Sequence, residues 1–152
     1  DALGVEPNSI DVIVYGGNDE EIANVIYQNK GAGVGLQGNT LANLKKDGEM
    51  RPIRFDKVSL VDIQVSMRCV RYEDFTEIDK DQIKKLLANQ VFKIGQTVSL
   101  SRLYSPINQV GGFWVKELKI ARKGQQLKAE NVALQPRYLA RIMENDIAIE
   151  VE

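Results

Sequence analysis

The chain has 152 residues, 43% hydrophobic and 27% charged, a composition that supports a packed core without disulfide or metal staples. Its 20 basic and 21 acidic residues leave a net charge of −1, so no long-range field recruits nucleic acid or an anionic membrane to the whole surface. Histidine is absent, which removes the commonest general base, proton shuttle and metal ligand, and a single cysteine, Cys69, excludes an internal disulfide.

This length predicts one domain, or two small intimately packed halves. No run of about 20 apolar residues is present to span a bilayer. The chain opens on Asp1 rather than Met, and the expectation is a portion of a longer protein.

Residues 10–15 (Ile10, Val12, Ile13, Val14, Tyr15) read as a strand apolar on both faces, hence central in its sheet. Gly16-Gly17 breaks the run. Asn18 or Asp19 caps the helix that follows, with Asp19, Glu20 and Glu21 at its positive end and Ile22, Val25 and Ile26 as its buried stripe. Lys30-Gly31 ends it, the glycine being free to take positive φ.

From Gly31 to about Lys57 the texture changes: Gly31, Gly33, Gly35 and Gly38 permit tight or bulged backbone. Asp47-Gly48 marks a reverse turn between segments at 36–45 and 49–55, and Pro52 places the second at an edge. This reads as a β-hairpin arm projecting from the body, an insertion over 31–57 in a single domain spanning 1–152.

Residues 59–72 carry the clearest strand pattern. Val61, Ile63, Val65, Met67 and Cys69 alternate with Asp62, Gln64, Ser66, Arg68 and Val70, which puts one face in a core. A helix follows Asp79, which with Gln82 forms a capping-box-like pair; Ile83, Leu86, Leu87, Val91 and Ile94 are its expected apolar stripe. Ser99 caps a second, shorter helix through about Tyr104, which Pro106 and then Gly111-Gly112 end. Phe113 to Ala121 is a strand whose imperfect alternation predicts a bulge or two covered faces. Asn131–Leu134 reads as short extended structure, Pro136–Met143 as a short helix or turn, and Ile147, Ile149 and Val151 as a last strand. The order predicts an α+β fold: a mostly antiparallel sheet with two to three helices on one face, plus the arm at 36–56.

Strand, glycine pair and helix start together outline a phosphate-binding turn. The residues themselves oppose that use. Asp19, Glu20 and Glu21 stand where the anion would, and two like charges about 5 Å apart repel by roughly 3 kcal/mol at an effective dielectric of about 20. Gly31-x-Gly33-x-Gly35 follows a helix instead of opening one, the wrong context for a dinucleotide fingerprint.

The acidic neighbours Glu20/Glu21, Glu73/Asp74 and Asp79/Asp81 diverge on a helix or strand and make no acid–base pair. Asp79-x-Asp81 also lacks the ligand pattern of a Ca²⁺ loop. Cys69 reads as a core thiol, and Tyr15 and Trp114 as packing residues. Phe113 and Trp114 with Lys116, Lys119, Arg122 and Lys123 outline a single-strand binding platform, interrupted by Glu117. No catalytic, cofactor-binding or metal-binding residue is assigned.

The block Tyr15-Gly16-Gly17-Asn18-Asp19-Glu20-Glu21-Ile22-Ala23, then Ile26-Tyr27, Lys30-Gly31-Ala32-Gly33-Val34-Gly35 and Gly38-Asn39, resembles the baseplate J-like family, the baseplate wedge proteins of Mu-like contractile-tailed phages. Pro52-Ile53-Arg54-Phe55-Asp56, Gln109-Val110-Gly111-Gly112 before Trp114-Val115, and Asp146-Ile147-Ala148-Ile149-Glu150-Val151 continue the likeness. Gly31 stands where the family usually has proline, and Gly112 where a Pro-Gly-Val turn is commoner.

The resemblance implies the C-terminal portion of a non-enzymatic structural subunit in a virion tail baseplate or related injection machine. Its implied partners are other wedge proteins and copies of itself, with no cofactor, nucleic acid or membrane. Gly16, Gly17, Asp19, Gly31, Gly33 and Gly35 are then structural motif residues. Leu41, Leu44, Met50, Ile53 and Phe55, with Leu36, form the expected interface of the arm, beside the open face of 59–72. The alternative from another class is a small ligand-binding or regulatory module using the Gly16-Gly17 turn.

Overall fold

The computed structural model describes residues 8–152. Its backbone divides into two compact units, one ending at Ser59 and one running from Leu60 to Glu152. The fold is α+β, as the pattern of elements predicts, with three α-helices among the described residues and mixed rather than purely antiparallel sheets.

In the first unit, the run at 10–15 is not one central strand. It splits at Val12 into β1 (Ser9–Asp11) and β2 (Ile13–Val14). β1 pairs in parallel with β3 (Gly35–Gln37). β2 lies at the edge of a second sheet, parallel to β5 (Glu49–Lys57), which pairs with β4 (Thr40–Lys46) on its other side. The Val12 and Val14 carbonyls accept from Asp56 N and Val58 N at 2.8 and 2.9 Å, so β5 takes the chain just where it leaves β3's partner.

The helix α1 (Asp19–Asn29) follows β2. Ala23 and Ile26 are its buried residues, while Val25, expected in the stripe, is exposed. At 100° per residue the buried arc runs through Ile22, Ile26, Ala23 and Tyr27, and Val25 falls on the opposite side. The helix stops because Lys30 turns to an extended conformation (φ −76°, ψ 144°). Gly31 is not in the left-handed region; Gly33 is, at φ 78°.

β4 and β5 form the predicted hairpin. Asp47 and Gly48 have φ of 53° and 81°, the two left-handed positions of a type I′ turn. Such a turn makes Lys46 and Glu49 a hydrogen-bonded pair, so Pro52, opposite Asn43, sits at a non-hydrogen-bonded position where its missing N–H disrupts nothing. The hairpin does not project. Leu44, Ile53 and Phe55 are buried with Ala23 and Ile26 as the core of this unit. Gly38 makes the approach possible: at φ 151°, a Cβ there would lie 2.2 Å from the Phe55 carbonyl carbon.

The second unit is built on β6 (Ser59–Arg71), which pairs antiparallel with β7 (Phe113–Arg122) and parallel with β9 (Ile147–Val151), and has β8 (Tyr138–Arg141) as a further neighbour. Ile63, Val65, Met67 and Cys69 point into the core, as the period of two predicts. The predicted irregularity in β7 is a bulge: Arg68 faces Glu117 and Cys69 faces Val115, leaving Lys116 as the extra residue.

α2 (Lys80–Ala88) and α3 (Leu100–Val110) pack their Ile83, Leu87, Leu103 and Ile107 on this sheet. Thus the helices do not all share one face of one sheet, since α1 belongs to the first unit. Asp79 caps α2, its Oδ1 accepting from Gln82 N at 3.0 Å. That helix ends before Val91 and Ile94, both exposed rather than part of its stripe. The segment between the helices is held instead by Arg102, whose guanidinium stacks 4.4 Å from the Phe92 ring centroid and donates to the Val91 carbonyl.

Ser99 makes no side-chain cap; Asn131 Oδ1 accepts from Leu100 N at 3.0 Å in its place. α3 continues through Pro106, which is buried, and ends at Gly111 (φ 75°). Residues 136–143 contain β8 where a helix or turn was expected. Tyr138 O accepts from Gly95 N at 2.7 Å, and Arg141 Nε bonds Asp62 Oδ1 at 2.8 Å. These long-range partners decide a segment whose local pattern is ambiguous.

Candidate functional site

The Gly16-Gly17 turn is formed as expected, with φ of 72° and 93°, and hands β2 over to α1. Asn18 is the N-cap. Its Oδ1 accepts from Glu20 N at 2.9 Å and from Glu21 N at 3.4 Å, so two of the amides that a phosphate would need are already engaged. Asp19 Oδ1 pairs with Lys57 Nζ at 2.5 Å, tying the helix start to the end of β5. The turn thus carries an internal acceptor and an internal carboxylate where a ligand anion would sit. Replacing the cap, Asn18→Ala, should cost about 1 kcal/mol of stability, read from urea midpoints.

The second glycine set lies at the far end of the same helix. Lys30 Nζ donates to Val34 O at 3.0 Å, and Gly35 N donates to Asn8 O at 3.0 Å as β3 begins. Gly31 and Gly33 therefore belong to a helix exit, at the opposite end of α1 from the first turn. Among the described residues, no group of three or more His, Cys, Asp or Glu side chains is placed to hold a metal.

The structure divides the expected arm interface into two sets. Leu44, Ile53 and Phe55 are buried against α1 and cannot meet a partner, and Leu36 packs partly against the same core. Leu41 and Met50 are exposed, at 46% and 61%. The register explains the split. Pairs 40–55, 42–53 and 44–51 share the inner face, whereas 41–54, 43–52 and 45–50 share the outer one. The outer face thus presents Leu41, Pro52 and Met50 with Arg54 and Lys45, all exposed.

The open face of 59–72 is charged along most of its length. Arg68 lies 3.5 Å from Glu150 and 2.7 Å from Glu152 across β9, and Lys116 lies 2.9 Å from the other oxygen of Glu152. Glu117 pairs with Lys119 on the same strand. The Lys116 ammonium bonded to Glu152 pulls that carboxyl below its ordinary pKa, and the Lys119 bond does the same for Glu117. On the neighbouring strand, the Arg141 hydrogen bond lowers Asp62 against the opposing effect of desolvation.

These pairs also occupy the cations of the outlined nucleic-acid platform. Lys123 pairs with Asp146 at 3.0 Å, and Arg122 donates to the Ala133 carbonyl at 2.8 Å. Cys69 is buried as expected, its thiol pushed up by desolvation and its Sγ 3.6 Å from Glu150 O.

Exposed aromatic side chains lie at one end of this face. Tyr72, Phe75 and Trp114 are exposed at 49%, 46% and 46%. Trp114 stands opposite Val70, and Tyr72 N donates to Gly112 O at 2.9 Å. A Cβ on Gly112 would meet the Phe75 ring at 2.8 Å, so Phe75 lies over the strand start. Tyr15 and Trp114, expected to pack, are both largely exposed. Sequence reasoning missed this cluster because Tyr72 and Phe75 fall in the loop after β6, where periodicity gives no face.

In each unit helix residues pack on one sheet face, and exposed apolar groups lie on the hairpin's other face in the first unit and at the Trp114 end of the sheet in the second. Compared with known proteins, the chain matches no family model and no curated protein. No helix among the described residues is long and apolar enough to cross a membrane.

Proposed function

We propose that the chain is a non-enzymatic structural subunit of a contractile-tail baseplate, assembling with other wedge proteins and with copies of itself. The observation that carries this reading is the pair of exposed apolar sets, Leu41, Pro52 and Met50 on the hairpin face of one unit and Trp114 with the loop residues Tyr72 and Phe75 on the other. Exposed apolar groups clustered on a sheet face are the raw material of protein interfaces. The baseplate J-like resemblance supplies the kind of assembly, and with it the tail baseplate as the place of action.

The ligand-binding alternative draws no support from the turn it would use. Asn18 fills the amides at the helix start, and Asp19 and Lys57 neutralise each other beside them. Nucleotides and inorganic phosphate should therefore leave the melting temperature unchanged. Stabilisation by several degrees that Gly17→Val abolishes would favour the binder.

The assembly reading is tested by tagging the chain in a host that produces contractile tails. The tag should co-sediment with sheathed particles and be located at the baseplate by immunogold labelling. Recovery only in low-molecular-weight fractions would overturn it.

A further inference from the structure

The two open faces differ in charge. On the hairpin's outer face, Arg54 and Lys45 flank Leu41, Pro52 and Met50, and the six positions 41, 43, 45, 50, 52 and 54 include no carboxylate. At the aromatic end of the other unit, Tyr72 and Phe75 alternate with exposed Glu73, Asp74 and Glu77. Among the described residues none of these three acids enters an ion pair; of the nearby cations, Arg68 and Lys116 are held by Glu152, and Arg71 beside Tyr72 is exposed, one cation against the three acids.

We propose that the hairpin face of one copy docks on the Tyr72–Phe75–Trp114 patch of a second copy. Arg54 and Lys45 then approach Glu73 and Asp74, and Leu41 and Met50 cover the rings. Resting on the assembly reading for its biological setting, the inference takes its occupant from the complementary charges carried by the same chain. Aromatic faces beside carboxylates suit a cationic, partly apolar partner, because ring quadrupole and carboxylate attract the same cation.

The contact is head-to-tail: each copy offers one face and receives on the other, so successive copies close a ring or extend a filament. The seven paired positions of the two strands span roughly 24 Å by 10 Å. That is well below the about 800 Å² per partner of a stable complex, so association is weak and salt-sensitive.

Trp114 is the single tryptophan and sits in the patch, which makes its fluorescence a direct readout. Sedimentation velocity and Trp114 emission are followed together from about 10 μM to about 1 mM chain, the range where weak contacts populate. The wild-type chain should associate with a blue shift, more weakly at high salt. Lys45→Glu with Arg54→Glu should weaken this at least tenfold, and so should Glu73→Lys with Asp74→Lys. Mixing those two variants should restore association, because each reversed face then meets an opposite one.

A wild-type monomer at every concentration overturns the inference, as does association that neither reversal alters. A Trp114 shift independent of concentration overturns it too, by placing the contact within one chain. Each of these results leaves co-sedimentation with tails to judge the assembly reading. Conversely, restored association without co-sedimentation keeps this contact and removes the baseplate.

Discussion

Gly38→Ala is expected to destabilise the first unit by on the order of 3 kcal/mol, a large effect for a single added methyl group. Two causes act together. The residue has φ of 151°, in a region that side chains rarely adopt, and the new Cβ would meet the Phe55 carbonyl carbon, oxygen and Cα at 2.2, 2.3 and 2.5 Å. Backbone cannot yield as a flexible side chain can, so β5 must move. Asp56, next along β5, is buried and accepts from Asn39 N at 2.7 Å, so the displacement also breaks a buried polar contact. Hydrogen exchange should accelerate at Asp56 N and Val58 N, the amides that bond the Val12 and Val14 carbonyls. Gly33→Ala offers a control that is also at positive φ, 78°, but with nothing within 4 Å of a Cβ there. If both substitutions cost the same, the close approach at Phe55 is not what Gly38 serves.

Phe55→Ala should cost about 3–5 kcal/mol, whereas Leu41→Ala and Met50→Ala should each stay within about 0.5 kcal/mol. All three lie on one hairpin, and a reader of the sequence alone would group them. Phe55 is fully buried, one of five buried residues in this core among the described residues, and they offer little to close the cavity. Leu41 and Met50 contribute to the other face, where truncation removes surface already in water. Urea midpoints of the three variants measure the difference directly. The reverse outcome, a large loss at Leu41 and little at Phe55, would place Leu41 on the buried face, the exchange that a one-residue register slip produces.

Much of the site reading depended on this exchange. The expectation of an arm rested on Leu36, Leu41, Leu44, Met50, Ile53 and Phe55 being too many apolar groups for a short segment to bury. The inference was sound for an isolated hairpin. It failed because α1 lies over the inner face, and Ala23 there is small enough for β4 and β5 to approach. The βα turn fared differently. Its carboxylates and cap were visible in the sequence, and the geometry added the Lys57 partner of Asp19 from 38 positions along the chain.

Local chemistry determined a good deal without help from the fold. The period of two over 59–72 placed Ile63, Val65, Met67 and Cys69 in a core, and the caps at Asn18 and Asp79 started two helices where expected. Asp47-Gly48 specified its turn, because the φ values a type I′ turn needs are available to few residue pairs. Each of these signals acts within a few residues, which is why the α+β class could be read from the chain.

Tertiary structure decided what partners must decide. It broke the strand at Val12 between two sheets, made β8 from an ambiguous segment, and carried α3 past a proline whose ring is buried. It also chose which hairpin face closes on α1 and which stays open. A strand's alternation defines two faces but not which one meets a helix; that is set by elements far along the chain, through packing that no short window of sequence contains.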